Sequence, residues 1–97
     1  MIMPTLDMVL HPPTRLQIAA ITAKVSEIEF AKLRELTDVA DSVLSKHLSA
    51  LSDAGYVKLR KAARDGRQRT WISLTASGRN AFAGHIAALQ ALSAGLN

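Results

Sequence analysis

The sequence predicts an α+β domain, mostly helical, with a three-helix core, a two-stranded β-hairpin and a closing helix. Three features carry that reading. Val39 to Gly55 has leucines at helical spacing ended by a glycine, Tyr56 to Leu74 alternates on either side of Asp65-Gly66, and Phe82 to Leu92 repeats apolar residues in heptad-like steps. The 97 residues suffice for one small core. A chain of that size buries only roughly 60–65% of its unfolded surface, so a second subunit would help stabilise it. Residues 1–97 are therefore read as one domain: an N-terminal arm at 1–11, a helical core at 12–55, a hairpin at 56–75 and a final helix at 75–95.

Met1 to Leu10 is apolar for a terminal segment, and Leu6, Val9 and Leu10 could form one side of a short helix that packs on something. His11-Pro12-Pro13-Thr14 breaks it, because proline lacks a donor and biases the residue before it away from helix. A helix follows with proline in its first turn, burying Leu16, either Ile18 or Ala19, and either Ile21 or Ala20. Ser26 to Leu36 reads as the next helix, with Ser26 and Glu29 as a capping-box pair and Ile28, Phe30, Leu33 and Leu36 as its apolar residues. After the tight connection Thr37-Asp38-Val39-Ala40, Asp41 is a good N-cap, since its carboxylate can accept from free first-turn amides.

Leu44, Leu48 and Leu51 then form one narrow buried stripe. Ser42, Lys46, Ser49 and Asp53 fall opposite, with Val43, Ser45 and Ala50 on the shoulders, so the exposed face is small enough to lie close against a partner. Gly55 supplies the left-handed residue that ends such a helix. Two short helices joined by about four residues, over about 27–55, have the form of a helix-turn-helix. Any compact helical domain also contains such pairs, so the pair does not decide the function.

The hairpin adds to it. Asp65-Gly66 favours a turn with positive φ, between a strand ending near Arg64 and a second running Gln68 to Leu74. Thr70, Ile72 and Leu74 alternate on the core side and Trp71 lies on the outer side, where it shields the sheet or a subunit contact. The formal charge of +4 is localised: residues 58–69 hold Lys58, Arg60, Lys61, Arg64, Arg67 and Arg69 against Asp65 alone, a net +5. Such a field is suited to a polyanion, nucleic acid above all. An edge hairpin kept from aggregating by its own cations would carry the same residues.

The remaining features exclude more than they assign. There is no cysteine, hence no disulfide framework or thiolate metal site, which fits a reducing cytoplasm. No apolar run is long enough to span a bilayer, and the N-terminus lacks the order of a signal peptide. No Gly-rich phosphate loop, evident carboxylate pair or Cys nucleophile points to an enzyme. His11, His47 and His85 lie far apart on different elements, so neither a metal nor a cofactor is expected, and His47 reads as a packed, hydrogen-bonded residue. Thr75 caps the last helix, where Phe82, Ile86, Leu89 and Leu92 (or Ser93) form a seam about two heptads long.

HPPTRLQI, VADSVLSKHLSAL, DAGYVKLRK, RDGRQRTW and ISLTASGRNAF together resemble the winged helix-turn-helix transcription regulators of the MarR-like kind, in particular the small stand-alone winged-helix DNA-binding domains. The resemblance runs from about Leu10 to Leu92. It implies a winged helix-turn-helix fold and a cytoplasmic homodimer on double-stranded DNA, with one recognition helix per subunit in successive major grooves and the wings on the flanking backbone or minor groove. Some ArsR-type relatives sense metals through the dimer helix; here only His85 lies there, without an acidic companion.

Side-chain chemistry then names the expected contacts. Ser42, Val43, Ser45, Lys46 and Ser49 would face the groove, where hydroxyls bond phosphates or base edges, Val43 touches a thymine methyl, and Lys46 reaches guanine or a phosphate. Arg64, Arg67 and Arg69 would serve the wing, Lys58, Arg60 and Lys61 would neutralise phosphate, and Arg15 would touch the backbone. Phe82, Ile86, Leu89 and Leu92, with Leu6 and Leu10, would form the dimer interface. Whether a small-molecule effector acts is left open. The alternative is a winged helix that grips another protein and binds no specific DNA.

Overall fold

The computed structural model describes residues 5–95; residues 1–4, part of the expected N-terminal arm, lie outside the described residues. Along the chain run α1 (Pro13–Thr22), β1 (Ile28–Glu29), α2 (Phe30–Thr37), α3 (Asp41–Asp53), β2 (Val57–Arg64), β3 (Arg67–Leu74) and α4 (Ala76–Gly95). The strands form one antiparallel sheet in the order β1-β3-β2. This is the expected α+β winged-helix arrangement, with one strand more than the sequence suggested.

α1 begins at Pro13, with the extended Pro12 before it, as a residue without an amide proton allows. It buries Ile18, Ala19 and Thr22. The Thr22 hydroxyl is satisfied by donating back to the Ile18 carbonyl at 2.8 Å, as the Thr37 hydroxyl does to that of Leu33 at 2.8 Å.

The segment after α1 departs from expectation. Ser26 is no helix cap: Ile28 and Glu29 form β1, opposite Ile72 and Trp71 of β3, and the helix starts only at Phe30. A β-branched Ile28 buried against the sheet, with glutamates on either side facing its arginines, outweighs the local capping signal. Asp38 ends α2 in the left-handed region at φ 54°, where aspartate is tolerated. Asp41 is also not a cap. It is the first residue of α3, after the extended Ala40, and its carboxylate pairs with Arg34 at 2.9 Å; its charge still suits the helix N-terminus.

α3 buries Leu44, Leu48 and Leu51, each contributing roughly 1.5–3 kcal/mol of transfer free energy. It ends in a Schellman motif: with Gly55 at φ 79°, its amide donates to Ser52 at 2.9 Å and the Tyr56 amide to Leu51 at 2.9 Å. β2 pairs with β3 from Val57 opposite Leu74 to Arg64 opposite Arg67. Asp65 (φ 53°) and Gly66 (φ 76°) turn the chain with both central residues at positive φ, the twist a two-residue hairpin needs.

The exit from the sheet is built from four constraints. Leu74 is buried. The Thr75 hydroxyl accepts from the Gly78 amide at 2.9 Å and donates to the Gly55 carbonyl at 2.7 Å, capping α4 and tying it to the end of α3. Gly78 is pressed against Tyr56, so a Cβ there would lie 2.2 Å from the Tyr56 carbonyl oxygen. Arg79 reaches the Ala23 carbonyl at 3.0 Å.

Residues 8–10 form a turn, tied through Asp7 to α4 and to Tyr56. Asp7 Oδ1 accepts from the amides of Val9 and Leu10, its Oδ2 from the Tyr56 hydroxyl at 2.5 Å, and its own amide donates to His85 Nδ1 at 2.9 Å. Burial works to raise the Asp7 pKa, but these donors, Tyr56 foremost, outweigh it and hold the carboxyl below its ordinary range; the same bond raises the Tyr56 phenol.

The core gathers Leu10, Ile18, Leu33, Leu44, Leu48, Leu51, Ile72 and their neighbours. Leu10, expected at a subunit contact, is fully buried in its own chain, because the Asp7 turn folds it inward. The molecule is elongated, 54 × 24 × 21 Å, and the outer half of the hairpin is exposed to solvent.

Gly78→Ala should destabilise the domain by about 2–3 kcal/mol, lowering Tm by roughly 10 °C or more. Gly84→Ala, where nothing lies within 4 Å of the added carbon, should stabilise it by up to about 1 kcal/mol. Thermal unfolding followed by circular dichroism checks both.

Candidate nucleic-acid interface

The outer face of α3 is uncovered. Ser42, Val43, Ser45, Lys46 and Ser49 are all exposed, Val43 at 41%, because the three leucines turn the opposite face into the core. Ser45 and Ser49 share a cleft of about 350 Å³ with Leu59, Lys61 and Thr70 on the near face of the hairpin. The serine edge of the helix and the base of the wing therefore stand side by side.

The basic residues are less uniform than their sequence suggests. Strand alternation puts Arg60, Arg64, Arg67 and Arg69 on the sheet face that carries Trp71. On that face β1 and the residue before it supply acids. Arg60 makes a two-pronged pair with Glu27, Nη2 to Oε1 at 2.6 Å and Nε to Oε2 at 3.3 Å, and Arg69 Nη1 is bonded to Glu29 Oε1. The Glu27 hydrogen bond raises the already high pKa of Arg60. Arg64 and Arg67 at the turn, and Lys46, Lys58 and Lys61, form no ion pair among the described residues. These are the cations with charge to spare.

Trp71, on the outer side as its alternation suggested, lies among the arginines. The guanidinium carbons of Arg60 and Arg64 lie 6.0 and 5.8 Å from its ring, so the indole supports two arginines through cation–π contacts. The register explains it: Arg60 lies directly opposite Trp71, and Arg64 follows on the same face. In the sequence Glu29 reads as the capping partner of Ser26 and Glu27 has no evident role, because a two-residue strand is too short to announce itself. Their alternation about Ile28 was the available signal.

Arg15 points inward to the helix pair. Its Nε donates to His47 Nδ1 at 3.1 Å and its Nη1 to the Val9 carbonyl at 3.4 Å, linking α1, the N-terminal turn and α3. Burial first, then the charges of Arg15 and Lys46, push the His47 pKa below its ordinary value. His47 is thus the packed, hydrogen-bonded residue its position suggested.

The expected interface residues of α4 fall into two groups. Phe82 is half-buried against the chain's own core. Ile86 and Leu89 are partly covered, Leu92 is 52% exposed, and Leu6 of the N-terminal turn is half-buried. The described residues contain no group of three or more metal-ligating side chains, and no helix is long and apolar enough to cross a membrane.

Residues 14–93 match the family described as winged helix DNA-binding domain. An uncharacterized protein of Methanocaldococcus jannaschii is 35% identical over 72 residues, covering 74% of this chain and 78% of the relative. A transcriptional regulator homologue from Pyrococcus horikoshii OT3 matches with a TM-score of 0.88 at 26% identity, covering 94% of this chain and 90% of that one. HlyU from Vibrio cholerae N16961 matches with a TM-score of 0.67 at 25% identity over 77% of each chain.

A histidine with a depressed folded pKa binds its proton more readily unfolded, so its contribution is full above about pH 6.5 and is lost as pH falls from there. His47→Ala should cost about 1 kcal/mol at pH 7.5, and the cost should shrink toward pH 5.5 in urea unfolding at each pH.

Proposed function

We propose, from the premise that this chain belongs to the winged helix DNA-binding domain family, that it is a homodimeric, sequence-specific regulator of transcription. The family and fold are those of DNA-binding transcriptional regulators of the MarR-like type, not of enzymes. The observation that carries the finer reading is the uncovered serine and lysine edge of α3 beside the basic hairpin.

In this reading α3 enters the major groove. Short side chains at Ser42, Ser45 and Ser49 let its backbone approach the base edges, Val43 meets a thymine methyl, and Lys46 bonds a guanine or a phosphate. Arg64 and Arg67 lead the wing onto the flanking backbone or into a narrow minor groove. Lys58 and Lys61 add phosphate neutralisation, and Arg60 does so only by leaving Glu27. Arg15 acts indirectly, by holding His47 and so the seating of α3 on α1. Two copies join through Ile86, Leu89 and Leu92 of α4, with Leu6 at the edge, and a two-fold axis then spaces the half-sites roughly 34 Å apart. The site of action is the cytoplasm.

Arg64→Ala with Arg67→Ala should weaken binding to a random-sequence duplex and flatten the dependence of log K on log salt by roughly 2, measured by fluorescence anisotropy at several salt concentrations. An unchanged affinity and slope would remove the wing from the interface. Leu89→Glu should convert a dimer to a monomer in sedimentation velocity while leaving the circular dichroism spectrum intact. A wild-type chain already monomeric at tens of micromolar would reject the dimer.

A further inference from the structure

We propose that Glu29 is a gate on the wing: it holds Arg69 in an ion pair that a DNA phosphate must break, so this carboxylate sets the strength of the wing's sequence-independent grip on a duplex. The proposal rests on the DNA-binding reading given above and adds to it an inhibitory residue.

The two ion pairs of the outer face differ in a way that singles out Arg69. Arg60 presents two nitrogens to two oxygens of Glu27, the bidentate arrangement a guanidinium prefers. Arg69 gives only Nη1 to Glu29, and its Nε is buried without a partner, an arrangement that costs free energy. The pair is also the more enclosed one, with 31% and 22% of the two side chains accessible against 48% and 35% for Arg60 and Glu27. The short strand β1 is what places the carboxylate there, since Glu29 lies opposite Trp71, two residues along β3 from Arg69.

The surroundings suit the exchange of one anion for another. A groove of about 310 Å³ runs beside the pair, lined by Glu29, Phe30, Ala31, Arg67, Gln68, Arg69 and Thr70. Arg67, with no ion pair of its own, shares it. A phosphate there would accept from both nitrogens of the Arg69 fork, which Glu29 does not. Until Glu29 swings away, its charge both occupies Arg69 and repels the incoming phosphate. Phosphate contacts carry no base identity, so the gate weakens binding to every duplex.

The test measures affinity for a random-sequence duplex by anisotropy across salt concentrations. Glu29→Gln should bind about 3–10-fold tighter than wild type and steepen the salt slope by roughly 1, one added phosphate contact. In an Arg69→Ala background the same substitution should change affinity less than about twofold, because the group it releases is gone. Equal gains in both backgrounds would mean a general change of field and overturn the gate, as would no gain in either. Glu29→Asp, too short to hold Arg69 but still charged, should bind tighter than wild type, and it carries the test if Glu29→Gln loses the native circular dichroism spectrum. If Glu29→Asp binds no tighter, the gate is rejected. Duplex binding by wild type that no Glu29 variant alters rejects the gate alone, whereas no binding by any of these chains rejects the DNA reading as well.

Discussion

The placement of the wing beside α3 depends on one peptide group, the carbonyl of Tyr56. It accepts the Thr75 amide at 3.0 Å and the Thr75 hydroxyl at 3.1 Å, and it is the atom against which Gly78 is packed. The same residue closes α3 through its amide and fastens the N-terminal turn through its phenol. The end of one helix, the start of another, both bases of the hairpin and the arm thus meet within a few ångströms. A hairpin of two strands is marginal by itself. This one is aimed because its root is bonded to the helix it must act beside.

Beyond that root the wing is governed by charge. Its cations repel one another, and a segment carrying +5 would be costly to fold if every arginine stood alone. Glu27, just before β1, and Glu29 within it answer on the crowded face, and Trp71 offers its ring to Arg60 and Arg64. Surface ion pairs of this kind contribute little to stability, but they fix where guanidinium groups rest. The uncompensated charge is thereby moved to Arg64 and Arg67 at the turn and to the lysines along the base.

How much of this was legible in the sequence follows from the range of the interactions involved. The α3 stripe of Leu44, Leu48 and Leu51, the Gly55 stop, the Asp65-Gly66 turn and the Thr75 cap were all readable, because each is decided by residues within one or two turns of chain. Asp41 and Ser26 misled for the opposite reason. Both are competent caps locally, yet Arg34 claims one and the other is displaced by a strand that exists only because Ile72 and Trp71, more than forty residues away, lie beside it. Leu10 was assigned to a partner because nothing near it announces that Asp7 will bond with Tyr56 and His85. Of the candidate site, the exposed face of α3 could be deduced from periodicity. The division of the arginines into free and paired ones could not, since it depends on side chains meeting across a sheet.

The long α4 bears on assembly. The 20 residues span about 30 Å, yet only Gly78, His85 and Ala88 along it are buried, a line set by contact with α1 and β3. Ile86, Leu89 and Leu92 lie beside that line at steps of three, and Leu92 stands in solvent. That apolar stripe is only partly covered by the described residues, and exposure of such a stripe is unfavourable for a domain with so small a core. A second copy would cover it and fix the separation of the two α3 helices at the same time. In such a dimer the spacing of the DNA half-sites would be written into the packing of α4, while their sequence would be read by α3 and the strength of the backbone grip set by the carboxylates of β1. These would be three separable properties carried by three different elements.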